Sequence, residues 1–311
     1  MPLLFTFPEY AQTSACLCDL PGVKAGEFSI ARYENQGLHA SVETAVSGEL
    51  CFILGSIAPS DSQLLSFLLL AHTLKKEGAN RVTGIVPYLA YSREDKVKPG
   101  ESLATAWLGA LLRASALDEI WTIDVHSEKD SMLIPLPLQS LSPANLFGEC
   151  LGKLGLTDVC FVSPDQGAIR RCEAAKSAAR ISCGDIVYFE KHRSDAGIVR
   201  HTPVGKVARC AVIVDDILDT GETLVSACER LTSAGAQELY ICVTHGLFSG
   251  QRWRELWSLP VKHIFSTDTV VDGVTIEDSR ITTLPVAPVL REKLANAISL
   301  NAEVSPSARS G

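Results

Sequence analysis

The chain has 311 residues, 46% of them hydrophobic and 21% charged, with a formal charge of −8. That length suits about two domains, and the composition is globular, which excludes a disordered chain. The negative balance excludes nonspecific nucleic-acid binding, so an anionic ligand must be held by backbone amides, metal ions or a few placed cations.

Signals over the first forty residues are weak, although Phe28–Val42 alternates loosely, as a strand or hairpin would. The opening PLLFTF lacks a basic region and a long apolar core, so no signal peptide is expected. Cys51–Ile57 reads as a strand, and Ser60 caps an expected helix from Asp61 to Glu77 that Gly78 stops. Within it, the apolar run Leu64–Ala71 is too short to span a bilayer. Arg81–Leu89 is the next strand, Ala90–Glu101 a charged loop, Ser102–Ala116 an amphipathic helix and Glu119–His126 a third strand. Proline-rich Ile134–Pro143 marks the expected boundary between domains at 1–140 and 141–311, with the terminal helix free to pack back on the first.

The second half repeats the rhythm. Helices are expected at Pro143–Leu154, Ala168–Arg180, Glu222–Ala234, Gln251–Trp257 and Val289–Ser299. Strands are expected at Val159–Val162, Ile186–Glu190, Lys206–Val214, Glu238–Val243 and His263–Ser266. Strands alternating with helices of this length predict an α/β fold with parallel sheets and right-handed crossovers. Ten cysteines lie mostly in apolar runs with no C-x-x-C pair. That usage fits reduced core thiols and points to the cytoplasm.

Ala211–Leu224, AVIVDDILDTGETL, carries the strongest chemical signal. Val212–Val214 reads as a buried strand, Asp215 and Asp216 sit at its carboxyl end, and Asp219–Thr223 forms a turn feeding a helix. Such a turn offers backbone amides and a helix dipole to a phosphate, with hydroxyls from Thr220 and Thr223 and close approach at Gly221. The acids can accept hydrogen bonds from sugar hydroxyls beside that phosphate. A solvated acidic loop after a core strand is the plainer reading.

This stretch resembles the phosphoribosyl-diphosphate (PRPP) motif shared by PRPP synthetases and type I phosphoribosyltransferases. Further segments resemble the synthetases alone. Arg81–Val97, RVTGIVPYLAYSREDKV, is similar to their I-P-Y-x-x-Y-x-R-Q-D segment, with Glu94 in place of Gln. Asp124-Val125-His126 resembles D-L-H, and Ser163-Pro164-Asp165-Gln166-Gly167 resembles S-P-D-x-G-G with Ala168 for the second Gly. Lys191-His192-Arg193 resembles the root of their catalytic loop, followed by an aperiodic stretch, Ser194–Gly205. Thr244–Gly250 and Thr267-Asp268-Thr269 resemble T-H-G-x-F-S-G and T-D-T, although a packed histidine is the plainer reading of His245. The family's F-x-D-G-E turn appears as Tyr33-Glu34-Asn35-Gln36-Gly37, with altered acids.

The resemblance implies two similar α/β domains of the phosphoribosyltransferase type, each with a mainly parallel sheet, and ATP lying where they meet. It implies transfer of the β,γ-diphosphoryl group of ATP to the C1 hydroxyl of ribose 5-phosphate, giving PRPP and AMP. Asp215, Asp216, Asp219, Thr220, Gly221 and Thr223 would hold ribose 5-phosphate. Asn35, Arg93, Glu94, Asp95 and His126 would hold ATP. His126 and Asp165 would place Mg²⁺, and Lys191 and Arg193 would stabilise the transferred group. A homo-oligomer, a dimer or a hexamer of dimers, is implied too. A noncatalytic homologue that binds a partner or senses PRPP, and a type I phosphoribosyltransferase, are the alternatives.

Overall fold

The computed structural model describes all residues except 59, 95, 128–129, 166, 194–198, 272–275 and 305–311. For residues 130–131, 191–193, 199–201 and 301–304 it describes the backbone alone. The chain forms two compact units, Met1–Leu141 with Pro285–Gly311, and Ser142–Leu284.

The first unit contains β1 (Pro2–Thr6), α1 (Ala11–Cys18), β2 (Lys24–Ala25), β3 (Phe28–Arg32), β4 (Leu38–Val42), β5 (Leu50–Leu54), α2 (Asp61–Lys76), β6 (Arg81–Ile85), α3 (Ala104–Ala114), β7 (Glu119–Ile123), α4 (Asp130–Leu133) and β8 (Leu138–Leu141). Six strands pair in parallel in the order β2-β1-β5-β6-β7-β8, while β3 and β4 form a separate antiparallel ribbon. Strand β1 falls where sequence signals were weak. Its Leu3, Leu4 and Phe5 are all buried, so the strand shows no alternation to read.

Helix α2 begins as expected. Ser62 N–H donates to Ser60 Oγ at 3.2 Å and Ser60 N–H donates to Gln63 Oε1 at 3.3 Å, a reciprocal cap. Gly78, at φ +90°, ends it. Strands β6 and β7 stop earlier than expected, at Ile85 and Ile123 rather than Leu89 and His126. At β7 the reason is Asp124, whose φ of +49° turns the chain out of the ladder.

The second unit contains α5 (Ala144–Lys153), β9 (Val159–Ser163), α6 (Ile169–Ala179), β10 (Val187–Arg193), β11 (Val199–Val204), β12 (Cys210–Leu218), α7 (Glu222–Ser233), β13 (Glu238–Gly246), β14 (Val261–Thr267) and β15 (Ile281–Leu284). Its sheet runs β11-β10-β9-β12-β13-β14-β15, parallel except for the β10–β11 pair. Gln251–Trp257, expected as an α-helix, is a 3₁₀ segment over Arg252–Ser258. Strand β12 buries residues on both faces. Ala211 and Ile213 pack with Leu224, Cys228 and Leu231, whereas Val212 and Val214 pack with Phe147, Leu151 and Cys172. Each such large aliphatic side chain contributes about 1.5–3 kcal/mol of burial.

Helix α8 (Ala287–Val304) completes the first unit, so the second unit ends at Leu284 and not at 311. Arg291 donates to the Cys16 carbonyl, and the Lys293 ammonium lies 5.1 Å from the centre of the Trp121 ring. All ten cysteines are free thiols, and burial pushes Cys51 up to about 11 and Cys172 up to about 12. Among the described residues no helix is long and apolar enough to cross a membrane.

Removing the α2 cap is expected to cost about 1 kcal/mol. Ser60→Ala should therefore lower the urea midpoint, and an unchanged midpoint would show the cap to be idle.

Candidate active site

Strand order in the second unit reverses between β9 and β12: the chain leaves β9 towards β10 on one side and continues from β12 towards β13 on the other. Ligands bind in the crevice at such a reversal, beyond the carboxyl ends of the strands. Strand β12 pairs with β9 only as far as Ile213↔Val162, but with β13 as far as Leu218↔Gly246. The strand thus overhangs β9. Asp215 and Asp216 lie on this overhang, inside the strand rather than after its expected end at Val214.

The two acids are successive residues of β12, close enough for their carboxyls to interact. Asp216, buried, lies on the α6 face, where Arg171 Nη1 approaches its Oδ1 at 3.9 Å. Asp215 Oδ1 accepts a hydrogen bond from Asp216 N–H at 3.0 Å. Burial pushes the Asp215 carboxyl well above the ordinary carboxylate range, the adjacent Asp216 charge and their side-chain hydrogen bond add to it, and Arg171 opposes it.

Asp219 to Gly221 form the turn into α7. Gly221 is the N-cap, at φ +91°, and a Cβ there would lie 2.5 Å from Trp253 Cα. Both the left-handed backbone and the closeness of the 3₁₀ segment require glycine. Gly221 has no side chain to cap the helix, so the first-turn amides of α7 receive no cap from the N-cap residue itself, and a helix N-terminus of this kind suits an anionic acceptor. Thr220 and Thr223 are exposed beside them. Trp253 is wedged behind the turn, edge-on to Phe248 at 5.1 Å, and Arg252 Nη1 pairs with Glu222 Oε1 at 3.1 Å.

At the end of β9, Ser163 Oγ donates to the Asp165 carbonyl at 2.6 Å, and Asp165 Oδ1 accepts from Ala168 N–H at 2.9 Å. One carboxylate oxygen thus serves the start of α6. Asp165 and Thr223 line a cleft of about 320 Å³ with Pro164, Phe189, Ser226 and Arg230. Arg230 was not singled out from sequence, although Thr223, Ser226, Ala227 and Arg230 follow the i, i+3, i+4, i+7 spacing of one helix face.

The expected strand Ile186–Glu190 runs on as β10, and the described part of the stretch after it, Val199–Val204, is a strand paired with it. Strand β10 continues through Arg193 and pairs antiparallel with β11, Lys191 opposite His201 and Arg193 opposite Val199. The backbone ladder needs no side-chain periodicity, which is why the sequence hid it. The side chains of Lys191 and Arg193 lie outside the described residues. His245, by contrast, is a packed strand-end histidine, 3% exposed, with Nδ1 2.8 Å from Thr269 Oγ1. Thr267 Oγ1 donates to the Thr244 carbonyl at 2.6 Å, binding the T-D-T turn to β13.

In the first unit, Arg93 and Glu94 are exposed on the turn after β6. Glu94 Oε2 accepts from Ser102 Oγ at 2.6 Å, and Thr105 Oγ1 donates to the Tyr91 carbonyl at 2.9 Å. Asp95 lies outside the described residues. His126 is exposed just beyond the Asp124 turn. Asn35 sits at the tip of the β3–β4 ribbon, where its Oδ1 accepts from Gly37 N–H at 3.0 Å. Its side chain is engaged in shaping the turn. Among the described residues no three His, Cys, Asp or Glu side chains converge as a metal cage. The donors on the second unit are carboxylates, which suit a hard cation that keeps water and phosphate oxygens as its other ligands.

Residues 3–115 match the model for the N-terminal domain of ribose phosphate pyrophosphokinase, and residues 196–303 match the phosphoribosyl synthetase-associated domain. A Streptococcus agalactiae protein, provisionally named ribose-phosphate pyrophosphokinase 2, is 30% identical over 86% of this chain and 83% of its own length. The ribose-phosphate pyrophosphokinase of Bacillus caldolyticus is 26% identical over 96% of this chain and 95% of its own. The fold is similar to that of phosphoribosylpyrophosphate synthetase from Mycobacterium smegmatis, with a TM-score of 0.83, 24% identity, and coverage of 96% of this chain and 99% of that one.

Gly221→Ala is expected to cost about 2–4 kcal/mol, because it adds both backbone strain and overlap with Trp253. Urea unfolding and calorimetric titration with ribose 5-phosphate should both register it. A variant of unchanged stability would remove the steric argument. Asp215 makes a second prediction. Unfolded, its carboxyl titrates near 3.8, whereas the folded chain holds the proton to higher pH. Wild-type stability should thus fall as pH rises from 3.8 through the raised value. Asp215→Asn should be the more stable protein at neutral pH and lose that advantage below 3.8, as followed by urea unfolding across pH.

Proposed function

Because the chain belongs to the ribose-phosphate pyrophosphokinase family, we propose that it transfers the diphosphoryl group of ATP to ribose 5-phosphate. The C1 hydroxyl oxygen bonds to the β-phosphorus of ATP, the bond from that phosphorus to the α-phosphate oxygen breaks, and PRPP, AMP and a proton result. The observation that carries this reading is the α7 N-terminus, which has no side-chain cap, beside the half-buried Asp215 and buried Asp216 at the strand-order reversal.

In this reading the amides of the Asp219–Thr223 turn, with the Thr220 and Thr223 hydroxyls, bind the 5-phosphate. Asp216, beside Arg171, and Asp215 hold the ribose hydroxyls. Fixing the sugar this way aims its C1 hydroxyl, and positioning of that kind supplies much of the catalysis in phosphoryl transfer. Lys191 and Arg193 stabilise negative charge on the transferred group and on departing AMP. Arg93, Glu94, Asp95 and Asn35 take the nucleotide, Asn35 through its turn rather than a free amide.

Mg²⁺, when bound, neutralises the triphosphate. Asp165 on the second unit offers it the carboxylate oxygen not committed to Ala168, and His126 on the first is the candidate histidine for the Mg²⁺–nucleotide complex. Exposed Tyr33, Leu65 and Trp107 on the first unit support assembly into a homo-oligomer, a dimer or a dimer-based hexamer. Ten free thiols support a reducing, cytoplasmic setting.

The test is incubation with ribose 5-phosphate, MgCl₂ and each nucleoside triphosphate in turn, with products resolved by chromatography. PRPP and AMP are expected. PRPP with a different monophosphate would assign a changed donor to the Tyr33–Gly37 turn. No PRPP from folded protein that still binds ribose 5-phosphate would replace the reading with a noncatalytic one. Lys191→Ala should lower kcat about 10²-fold or more with little change in ribose 5-phosphate binding. A small kcat effect beside a large binding loss would remove Lys191 from its role.

A further inference from the structure

The β10–β11 hairpin leaves the sheet at a defined place. Val187 and Tyr188 still pair with β9, at Val162 and Ser163, whereas from Phe189 onward β10 has β11 as its ladder partner. Everything beyond Phe189, including the backbone of Lys191 and Arg193, therefore depends on how the root of a two-stranded ribbon is seated. Isolated two-stranded ribbons are marginal in water and take their direction from what they pack against.

Here they pack against α7, and two hollows mark the seam. The cleft already described is walled by Phe189 of β10 and by Thr223, Ser226, Ala227 and Arg230 of α7. A second groove, of about 430 Å³, is walled by Thr202 and Pro203 of β11 and by Glu229, Arg230 and Ser233 of α7. Phe189 and Pro203 are directly opposed in the hairpin register. Arg230 is the side chain common to both hollows, so it stands beneath that opposed pair. It is half-buried, and its Nε donates to Ser226 Oγ one turn earlier at 3.3 Å, which directs the guanidinium along the helix. An arginine in this position combines a packed aliphatic stem with a planar fork that reaches polar atoms on both sides.

We propose that Arg230 is a positioning residue for the reaction: it seats the root of the β10–β11 hairpin on α7 and thereby sets where Lys191 and Arg193 present themselves. Its catalytic consequence rests on the synthetase reading above, but the structural step does not. Thr223, at the start of the same helix face, belongs to the phosphate turn. Arg230 thus ties the ribbon bearing the cations to the helix bearing the phosphate site.

The experiment is hydrogen–deuterium exchange on full-length wild type, Arg230→Ala and Arg230→Lys, with ribose 5-phosphate binding measured in parallel. In Arg230→Ala, amides of Val187–Arg193 and Val199–Val204 should exchange at least about threefold faster. Those of β13, a mostly buried strand separated from β10 by β9 and β12, should be unchanged, and ribose 5-phosphate affinity should stay within about twofold. Arg230→Lys, which keeps the stem and charge, should recover part of the protection. Where PRPP formation is observed, kcat should fall about 10- to 100-fold with KM for ribose 5-phosphate little altered. Unchanged hairpin exchange in Arg230→Ala would overturn the proposal whatever the activity. Equal acceleration in β13 would overturn it too, because the effect would then be global destabilisation. An inactive wild type whose hairpin still loosens in Arg230→Ala would refute the synthetase reading and leave the seating role standing.

Discussion

The second unit depends on unequal lengths of neighbouring strands. Strand β12 runs nine residues beside an equally long β13, but its partnership with β9 ends at Ile213. Parallel pairing on one side keeps the extra residues extended, while the missing neighbour on the other opens a crevice. Without β13 the overhang would lose its ladder, and if β9 were longer it would close the space. The acid pair, the phosphate turn and the start of α7 are all consequences of where that overhang points.

Placing Asp215 and Asp216 on a buried strand is costly for folding. Two adjacent carboxyls in a desolvated position repel each other, and Arg171 and the Asp216 N–H donated to Asp215 offset part of this. A core that buries apolar residues on both faces of β12 can bear that cost. Such a local conflict between stability and chemistry is what a binding site for sugar hydroxyls would be expected to show. The same economy governs charge. A chain of net charge −8 cannot attract phosphates globally, so any attraction has to be local, and the N-terminus of α7, with glycine holding its backbone in place, is where this fold offers it.

The Asp219–Thr223 turn also shows how far a candidate site reaches beyond its own residues. Gly221 is constrained from behind by Trp253, on a 3₁₀ segment more than thirty residues further along the chain. That segment follows β13, whose end is fastened to the T-D-T turn through His245, Thr267 and Thr269. Gly221, Trp253 and His245 thus have structural roles that need no contact with substrate.

Taken alone, the amino-acid sequence determined the α/β class, the alternation of elements and the candidate phosphate turn. Those features are written locally: apolar runs, a Ser60 cap, glycine stops and a strand–acid–turn–helix order within fourteen residues. Only the tertiary structure decided what depends on partners distant in the chain. Strand β1 was invisible because it is buried on both faces, and β11 because a ribbon is held by backbone bonds that carry no side-chain pattern. The length of β12 was set by β13, the end of β7 by one left-handed aspartate, and the return of α8 to the first unit by contacts with α1. Arg230 reads as an ordinary helix-surface cation until Phe189 and Pro203 are seen against it, because which residues face one another across a fold is a property of packing and not of spacing.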